Sequence, residues 1–168
     1  KDNIKIYTIK ERPVYRENLD KDIESDIFIF ATTHRSQTGI PSLCVHAPGN
    51  WGKAELGGKN KQLCISMPAY MKAAFIKLIE LNTINFDIVQ ECTHHGPYLE
   101  KPVMFIEIGS SEQEWSRKDA GEIIAKTIMH ILTINMPKYE TAFGIGGQHT
   151  TTNFKNILAN TNIAIGHV

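Results

Sequence analysis

The densest chemistry in the sequence lies in seven consecutive residues, Glu91-Cys92-Thr93-His94-His95-Gly96-Pro97. A carboxylate, a thiol and two imidazoles are all donor types that zinc accepts. If the chain is extended there, Cys92 and His94 face one side and Thr93 and His95 the other, so one ion is not expected to take them all. The spacing matches neither a zinc ribbon nor a HExxH helix. The remaining histidines follow a pattern: His34, His46, His149 and His167 each fall at or near the end of an apolar run, and only His130 lies within a helical one. Parallel strands would carry their ends to one edge of a sheet, where open α/β folds bind ligands. Four or more of the six non-helical imidazoles are therefore expected to line one cleft. Imidazole suits both metal binding and proton transfer near neutral pH.

Four other runs carry candidate chemistry. In Glu107-Ile108-Gly109-Ser110-Ser111-Glu112 an apolar strand is expected to end and Gly109 to turn the backbone. The two serines then open a helix whose free N–H groups favour an anion. Ser111 with Glu114 also fits a capping box. Glu107 sits among Phe105, Ile106 and Ile108, and a carboxylate in such a strand needs a partner. Arg35 lies in a polar loop after the most apolar strand, where its planar fork suits a phosphate or carboxylate. The turn Gly144-Ile145-Gly146-Gly147-Gln148-His149 follows a strand and precedes a helix. His149 stands where the third glycine of a dinucleotide loop would be, so that reading is rejected, while Gly146 and Gly147 still permit close approach to a substrate. Residues 51–61 hold Lys53, Lys59 and Lys61 with Glu55 as the single acid, a local basic surface suited to an RNA backbone, with Trp51 able to stack.

Short β-branched runs alternate with amphipathic segments, which makes this an α/β chain. Strands are expected at residues 4–8, 27–32, 42–46, 62–66, 87–92, 103–108, 141–145 and 162–166, and helices at 68–81, 112–134 and 152–159. On the first helix Lys72, Lys77 and Glu80 take the wet side. Residues 50–61 read as a long hairpin joining 42–46 to 62–66, which makes the sheet mixed but mostly parallel.

With 168 residues, 42% hydrophobic and 21% charged, the chain fits one soluble domain. No apolar run approaches the roughly 18–20 residues of a membrane span. The amino end, Lys1-Asp2-Asn3-Ile4-Lys5, is not a signal peptide, and the missing initial Met suggests residues before it. Cys44, Cys64 and Cys92 form no CxxC pair and read as reduced thiols in a cytosolic protein. Net charge is zero, so nucleic-acid binding must come from a local patch.

Taken in order, several motifs resemble the archaeal and plant D-aminoacyl-tRNA deacylases. They are Thr33-His34-Arg35-Ser36 with Gly39-Ile40-Pro41, Val45-His46 with Pro48-Gly49-Asn50, Thr93-His94-His95-Gly96-Pro97, Glu107 to Glu112 with Trp115, and Gly146-Gly147 with His149. The resemblance covers essentially the whole chain. It departs after His149, where the family has an aromatic residue and a proline and this chain has Thr150 and Thr151.

The resemblance implies a three-layer α/β/α sandwich, zinc dependence and hydrolysis of the ester between a D-amino acid and tRNA. On that reading residues 1–168 are one catalytic domain, trimmed at both ends relative to the family, acting as a cytosolic monomer on aminoacyl-tRNA. Metal ligands are expected at His94, His95 and His149. Glu107 or Glu112 would act as general base, with His34 also catalytic. Arg35, Ser110, Ser111, Gly146 and Gly147 would bind substrate, the backbone N–H groups receiving an oxyanion or phosphate. No Gly-x-Ser-x-Gly elbow is present, which disfavours a serine triad. The alternatives are a non-catalytic module that holds a tRNA end, and an enzyme akin to peptidyl-tRNA hydrolases or nucleoside phosphorylases.

Overall fold

A computed structural model describes residues 3–168, so Lys1 and Asp2 of the polar amino end lie outside the described residues. Its centre is a four-stranded sheet of β1 (Phe28–Arg35), β2 (Ser42–His46), β3 (Asp87–Gln90) and β4 (Val103–Ser110), in the order β1-β4-β2-β3. β1 runs parallel to β4, and β2 runs parallel to β3. The two pairs meet antiparallel, along β2 and β4. The sheet is thus mixed and mostly parallel, as read from the sequence.

Side chains alternate across a strand, so each strand feeds two different layers. One face of the sheet offers Leu43, Val45, Met104, Ile106 and Ile108 to a core shared with Met71, Phe75, Leu78, Ile123, Ile124 and Ile131. Those partners come from α2 (Pro68–Leu81) and α4 (Lys118–Thr133), which pack on each other and on the sheet. The other face buries Phe28, Phe30, Val103 and Phe105 with Leu19, Cys64 and Leu99. Here the covering layer is irregular chain with one helical turn, α1 (Leu19–Asp22). It follows that β2 can be buried at all five positions and still send Cys44 and His46 to a different layer from Leu43 and Val45.

Several elements depart from expectation. Residues 4–8 form no strand, and residues 62–66 contribute only an isolated bridge between Gly49 and Leu63. The antiparallel neighbour of β2 is therefore β4 and not a hairpin partner. β4 continues through Gly109 to Ser110, where a turn was expected. The glycine is required by its neighbours across the sheet: a Cβ there would lie 2.5 Å from Ser42 Oγ and 3.2 Å from His34 Cδ2. The long second helix is two helices, α3 (Glu112–Trp115) and α4, broken at Arg117. Arg117 is extended and forks onto Asp119 (Nε–Oδ1 3.0 Å, Nη2–Oδ2 2.6 Å), while Asp119 Oδ1 also accepts the Ala120 N–H. Lys72 is buried and not on the wet side, because its ammonium donates to the carbonyls of Leu158 and Thr161 around the end of α5 (Lys155–Asn160). β5 (Glu140–Ala142) and β6 (Ile163–Ile165) pair parallel in a small separate sheet.

Among the described residues no helix is long and apolar enough to cross a membrane.

Three backbones meet at Gly96, where a Cβ would lie 2.2 Å from Gly58 N, 2.5 Å from Gly57 C and 2.5 Å from Val14 O. Backbone cannot swing aside as a side chain can, so Gly96→Ala is expected to cost about 3 kcal/mol in urea denaturation. Gly121, in α4 with nothing within 4 Å of its Cβ position, is the control: Gly121→Ala should gain roughly 0.5–1 kcal/mol.

Candidate metal centre and adjoining cleft

The chemistry assembles on the sheet face that the helices leave free. Thr32 and His34 come from β1, Cys44 and His46 from β2, Phe105 and Glu107 from β4, and Glu91 from just past β3. Register sets the contacts, since Thr32, Glu107 and Cys44 are directly paired across three strands. Thr32 Oγ1 donates to Glu107 Oε1 at 2.5 Å, and the Cys44 thiol reaches Glu107 Oε2 at 4.0 Å. His46 lies opposite Phe105, and the two rings stack with centroids 5.1 Å apart. Because the strand pairs run in opposite directions, the histidines do not meet at a common carboxyl edge. They meet over a face instead.

Glu91 is the hub. Its side chain is fully buried, and its oxygens face His34 Nε2 at 3.2 Å, His149 Nε2 at 3.5 Å, His46 Nδ1 at 3.6 Å and His94 Nε2 at 3.9 Å. Burial works to raise its pKa, but the His149 contact and the charges of His34, His149 and His94 outweigh it and hold the carboxyl below its usual value. Glu107, whose Oε2 is 3.6 Å from the same His46 Nδ1, goes the other way. Burial first, and the Glu91 charge second, push it up to about 7. Two buried carboxylates sharing one imidazole are thereby set apart in proton affinity.

The segment after β3 closes over this face. Cys92 N–H bonds to His149 O (2.8 Å), Thr93 N–H to Val168 O (3.0 Å), and His94 bridges to Pro48. His95 adopts a left-handed conformation, φ 50°, which cancels the alternation of an extended chain. His94 and His95 consequently face the same way, with centroids 4.3 Å apart and 4.6 and 4.9 Å from His46. Burial lowers His95 to about 4 and keeps His46 neutral well below the usual imidazole value. Cys92 Sγ is 3.6 Å from His149 Nδ1. The hydrogen bonds from His149 and His94 bring the thiol down to about 6, and the contact with Cys92, then Glu91, lifts His149 to about 10.

These donors fit a divalent metal. Both His46 nitrogens and both Glu91 oxygens are buried without a hydrogen bond, a costly arrangement unless a cation satisfies them. Donor atoms within 4.8 Å of one another form the groups His46-His94-His95, Cys92-His94-His149, His34-Glu91-His149 and Cys44-Glu91-Glu107. Nitrogen, sulfur and oxygen donors in such sets suit transition metals better than magnesium or calcium.

A cleft of about 510 Å³ adjoins the centre, with Glu107, Phe105, Thr32, Thr33 and Arg35 contributed by the sheet, Arg35 being the last residue of β1 and not part of a loop, and with Arg12, Pro13, Val14 and Trp115 completing its lining. Trp115 donates its indole N–H to His34 O at 2.9 Å. The Arg35 guanidinium lies over the Trp115 ring, 4.8 Å from its centroid, and pairs with Glu112 at 3.0 Å.

Residues 21–168 match the sequence model of the family described as D-aminoacyl-tRNA deacylase. The chain belongs to the D-aminoacyl-tRNA deacylase family. It is 43% identical to the D-aminoacyl-tRNA deacylase of Pyrococcus furiosus, over 100% of this chain and 64% of that protein. The deacylase of Methanosarcina mazei is 39% identical over 97% of this chain and 57% of its own. A crystal structure described as a conserved protein of unknown function matches with a TM-score of 0.90 and 33% identity, over 94% of this chain and 58% of that one. The chain thus spans about 64% of the length of the Pyrococcus furiosus relative.

Within this deacylase-family chain, the structure separates the sequence-expected residues. His34, His94, His95, His149 and Glu107 lie in the centre, with His94 common to two donor groups that hold His95 and His149 separately. Arg35 and Glu112 lie at the mouth of the cleft, their side chains 66% and 81% exposed, so Glu112 is not among the imidazoles. Ser111 is consumed by its capping box, its N–H and Oγ–H both going to Glu114 Oε2, so that N–H is not free for an oxyanion. α3 is in any case a single turn. Ser110 is buried with its hydroxyl unpartnered, and Gly146 and Gly147 are exposed with φ 93° and 98°. His167 stands behind the centre, bonded to Thr93 Oγ1 (2.9 Å) and Cys64 O (3.1 Å). Glu91 and Cys92, read in the sequence as zinc donor types, and His46, read as one of the cleft imidazoles, join the centre without having been given a role there; Cys44, read only as a reduced thiol, and Trp115 join them. Glu91 carried the signal used for Glu107, a carboxylate on an apolar strand.

Metal binding is readable without an activity assay. A divalent transition metal at about a hundred times its Kd should stabilise the chelator-treated protein by about 2.7 kcal/mol, or roughly 5–10 °C in Tm. His94→Ala, which removes a donor common to two groups, should abolish that shift.

Proposed function

We propose that this chain carries the catalytic centre of a hydrolase that cleaves the ester between a D-amino acid and tRNA, and that residues 1–168 form one catalytic domain. The observation that carries the reading is the buried Glu91 with four imidazoles around it, in a chain of the deacylase family, beside a cleft lined by a second carboxylate. His46, His94 and His95, or Cys92, His94 and His149, would hold zinc. When bound, zinc supplies Lewis acidity that polarises an ester carbonyl.

The chain's own residues do the rest. Glu107 takes a proton from the attacking water: it lines the cleft, and Thr32 fixes one oxygen while the other faces His46. Arg35, steadied on Trp115, binds substrate at the mouth, and the buried walls exclude bulk water. Glu91 orients the imidazoles. Three free thiols are in keeping with a reducing cytosol.

The purified protein is expected to release tyrosine from D-tyrosyl-tRNA and to leave L-tyrosyl-tRNA and N-acetyl-L-tyrosyl-tRNA intact. Hydrolysis of the N-acetyl substrate would assign it to peptidyl-tRNA hydrolysis. Tight binding of tRNA without turnover would make it a binding module. Glu107→Gln should lower kcat by about 10²–10⁴-fold with KM and Tm little changed. A chelator should abolish turnover, and zinc should restore it.

A further inference from the structure

Two loop segments, residues 50–61 and 143–148, converge on His167 and Val168. Trp51 donates its indole N–H to Val168 O at 3.0 Å, and its ring stands edge-on to His167 with centroids 6.2 Å apart. Gly144 N–H bonds to His167 O at 2.8 Å, and a Cβ on Gly144 would lie 3.2 Å from Val168 Cγ2. The residues that follow β6 thus seat both loops side by side. The same Val168 carbonyl accepts the Thr93 N–H, and the Gly144 loop ends at His149, so the pair of loops is continuous with the metal centre.

What these loops present is unusual for a surface. Trp51 is 56% exposed, and Phe143 and Ile145, on either side of Gly144, are 69% and 83% exposed. Single exposed apolar residues need no explanation, but three large ones grouped beside a site mark a binding surface. The Trp51 loop adds cations. Lys53, Lys59 and Lys61 are all exposed and make no ion pair among the described residues, and the Lys59 ammonium lies 4.0 Å from the Tyr98 ring centroid. The loop is also held in place: Asn50 Nδ2 bonds to Gly57 O, and Gly58 N–H to Glu17 Oε1. Aromatic faces beside unpaired lysines form the surface on which unpaired nucleic-acid strands are held, bases stacking and phosphates meeting the cations. A purely apolar protein partner would leave the three charges without a role.

We propose that Trp51, Phe143 and Ile145 form a platform on which the unpaired 3′ bases of an RNA substrate stack, with Lys53, Lys59 and Lys61 following its phosphates. That this RNA is the acceptor end of tRNA rests on the deacylase reading. The platform leads the strand toward His149 and the centre beyond it.

The test reads binding and needs no hydrolysis. A fluorescent single-stranded RNA bearing the 3′ sequence of tRNA, uncharged, is titrated with the whole protein, and anisotropy gives Kd over a range of salt. Phe143→Leu, which keeps apolar bulk but removes the π face, should weaken binding by roughly 5- to 150-fold, and Phe143→Trp should keep it. Replacing all three lysines by Gln should flatten the slope of log K against log salt by about two. Trp51→Phe checks that stacking, and not the indole bond to Val168, is what matters: it should bind better than Trp51→Ala. Unchanged affinity in Phe143→Leu overturns the proposal. So does a fall of several degrees in its Tm, which would mean that the patch packs against protein. RNA binding without turnover of D-tyrosyl-tRNA would remove the deacylase reading and leave the platform. Turnover with unaltered binding in Phe143→Leu would do the reverse.

Discussion

A carboxylate taken wholly out of water is tolerated only where opposite charge or a cation meets it, and the site is organised around that constraint at Glu91. Four imidazoles approach it from four separate segments, β1, β2, the stretch after β3 and the loop before α5. The rings also meet one another, His34 stacking on His149 with centroids 5.4 Å apart and His94 lying 4.6 Å from His46 and 4.4 Å from His149. Glu91 is what they have in common, and a shared anion fixes their relative positions without any of them being near in sequence. It also divides the labour of protons, since its own charge is what helps to hold Glu107 close to neutrality.

The division of the sheet into two faces follows from the same economy. The helix-covered face contains the aliphatic bulk, from Leu43 and Val45 to Phe75 and Ile124. That leaves the other face free to carry groups that a tight aliphatic core would reject. Its cover is irregular chain, and irregular chain needs its backbone groups satisfied one by one. Many of the side-chain hydrogen bonds on this side answer that need: Glu17 accepts from Gly58 and Tyr98, Asn50 donates to Gly57, and Trp115 donates to His34. A rigid sheet beneath and a tied-down lattice of loops above hold the imidazoles in place.

Much of this was legible in the sequence. β2 and α2 were readable to the residue, because every position of 42–46 is suited to a buried strand and α2 opens on a proline. The capping box at Ser111 was legible because it is a local contact. What escaped was decided at long range. Gly109 reads as a turn until the register places Ser42 and His34 on either side of it. The expected hairpin failed because the antiparallel partner of β2 comes from residues 103–110 and not from the next strand-like run. An extended backbone puts His94 and His95 on opposite sides, and one left-handed residue, His95, undoes that. Glu91 and Glu107 have similar local surroundings; only the tertiary neighbours tell the hub from the base.

The pairing of β1 with β4 joins residues 75 positions apart in the chain. Contacts of that span form slowly, because loop-closure entropy is lost before any of them is gained. During synthesis, at about 5–20 residues per second, β1 must wait several seconds with an open edge before its partner leaves the ribosome. His34 and Thr32 spend that interval in solvent, and Glu91 emerges before Glu107 or His149 exists to flank it. The last of the four imidazoles to be made, His149, is also the most exposed of them, at 45% of its side chain. The last of the four to be made is thus the outermost, and it can close the centre from the outside once the other three are in place.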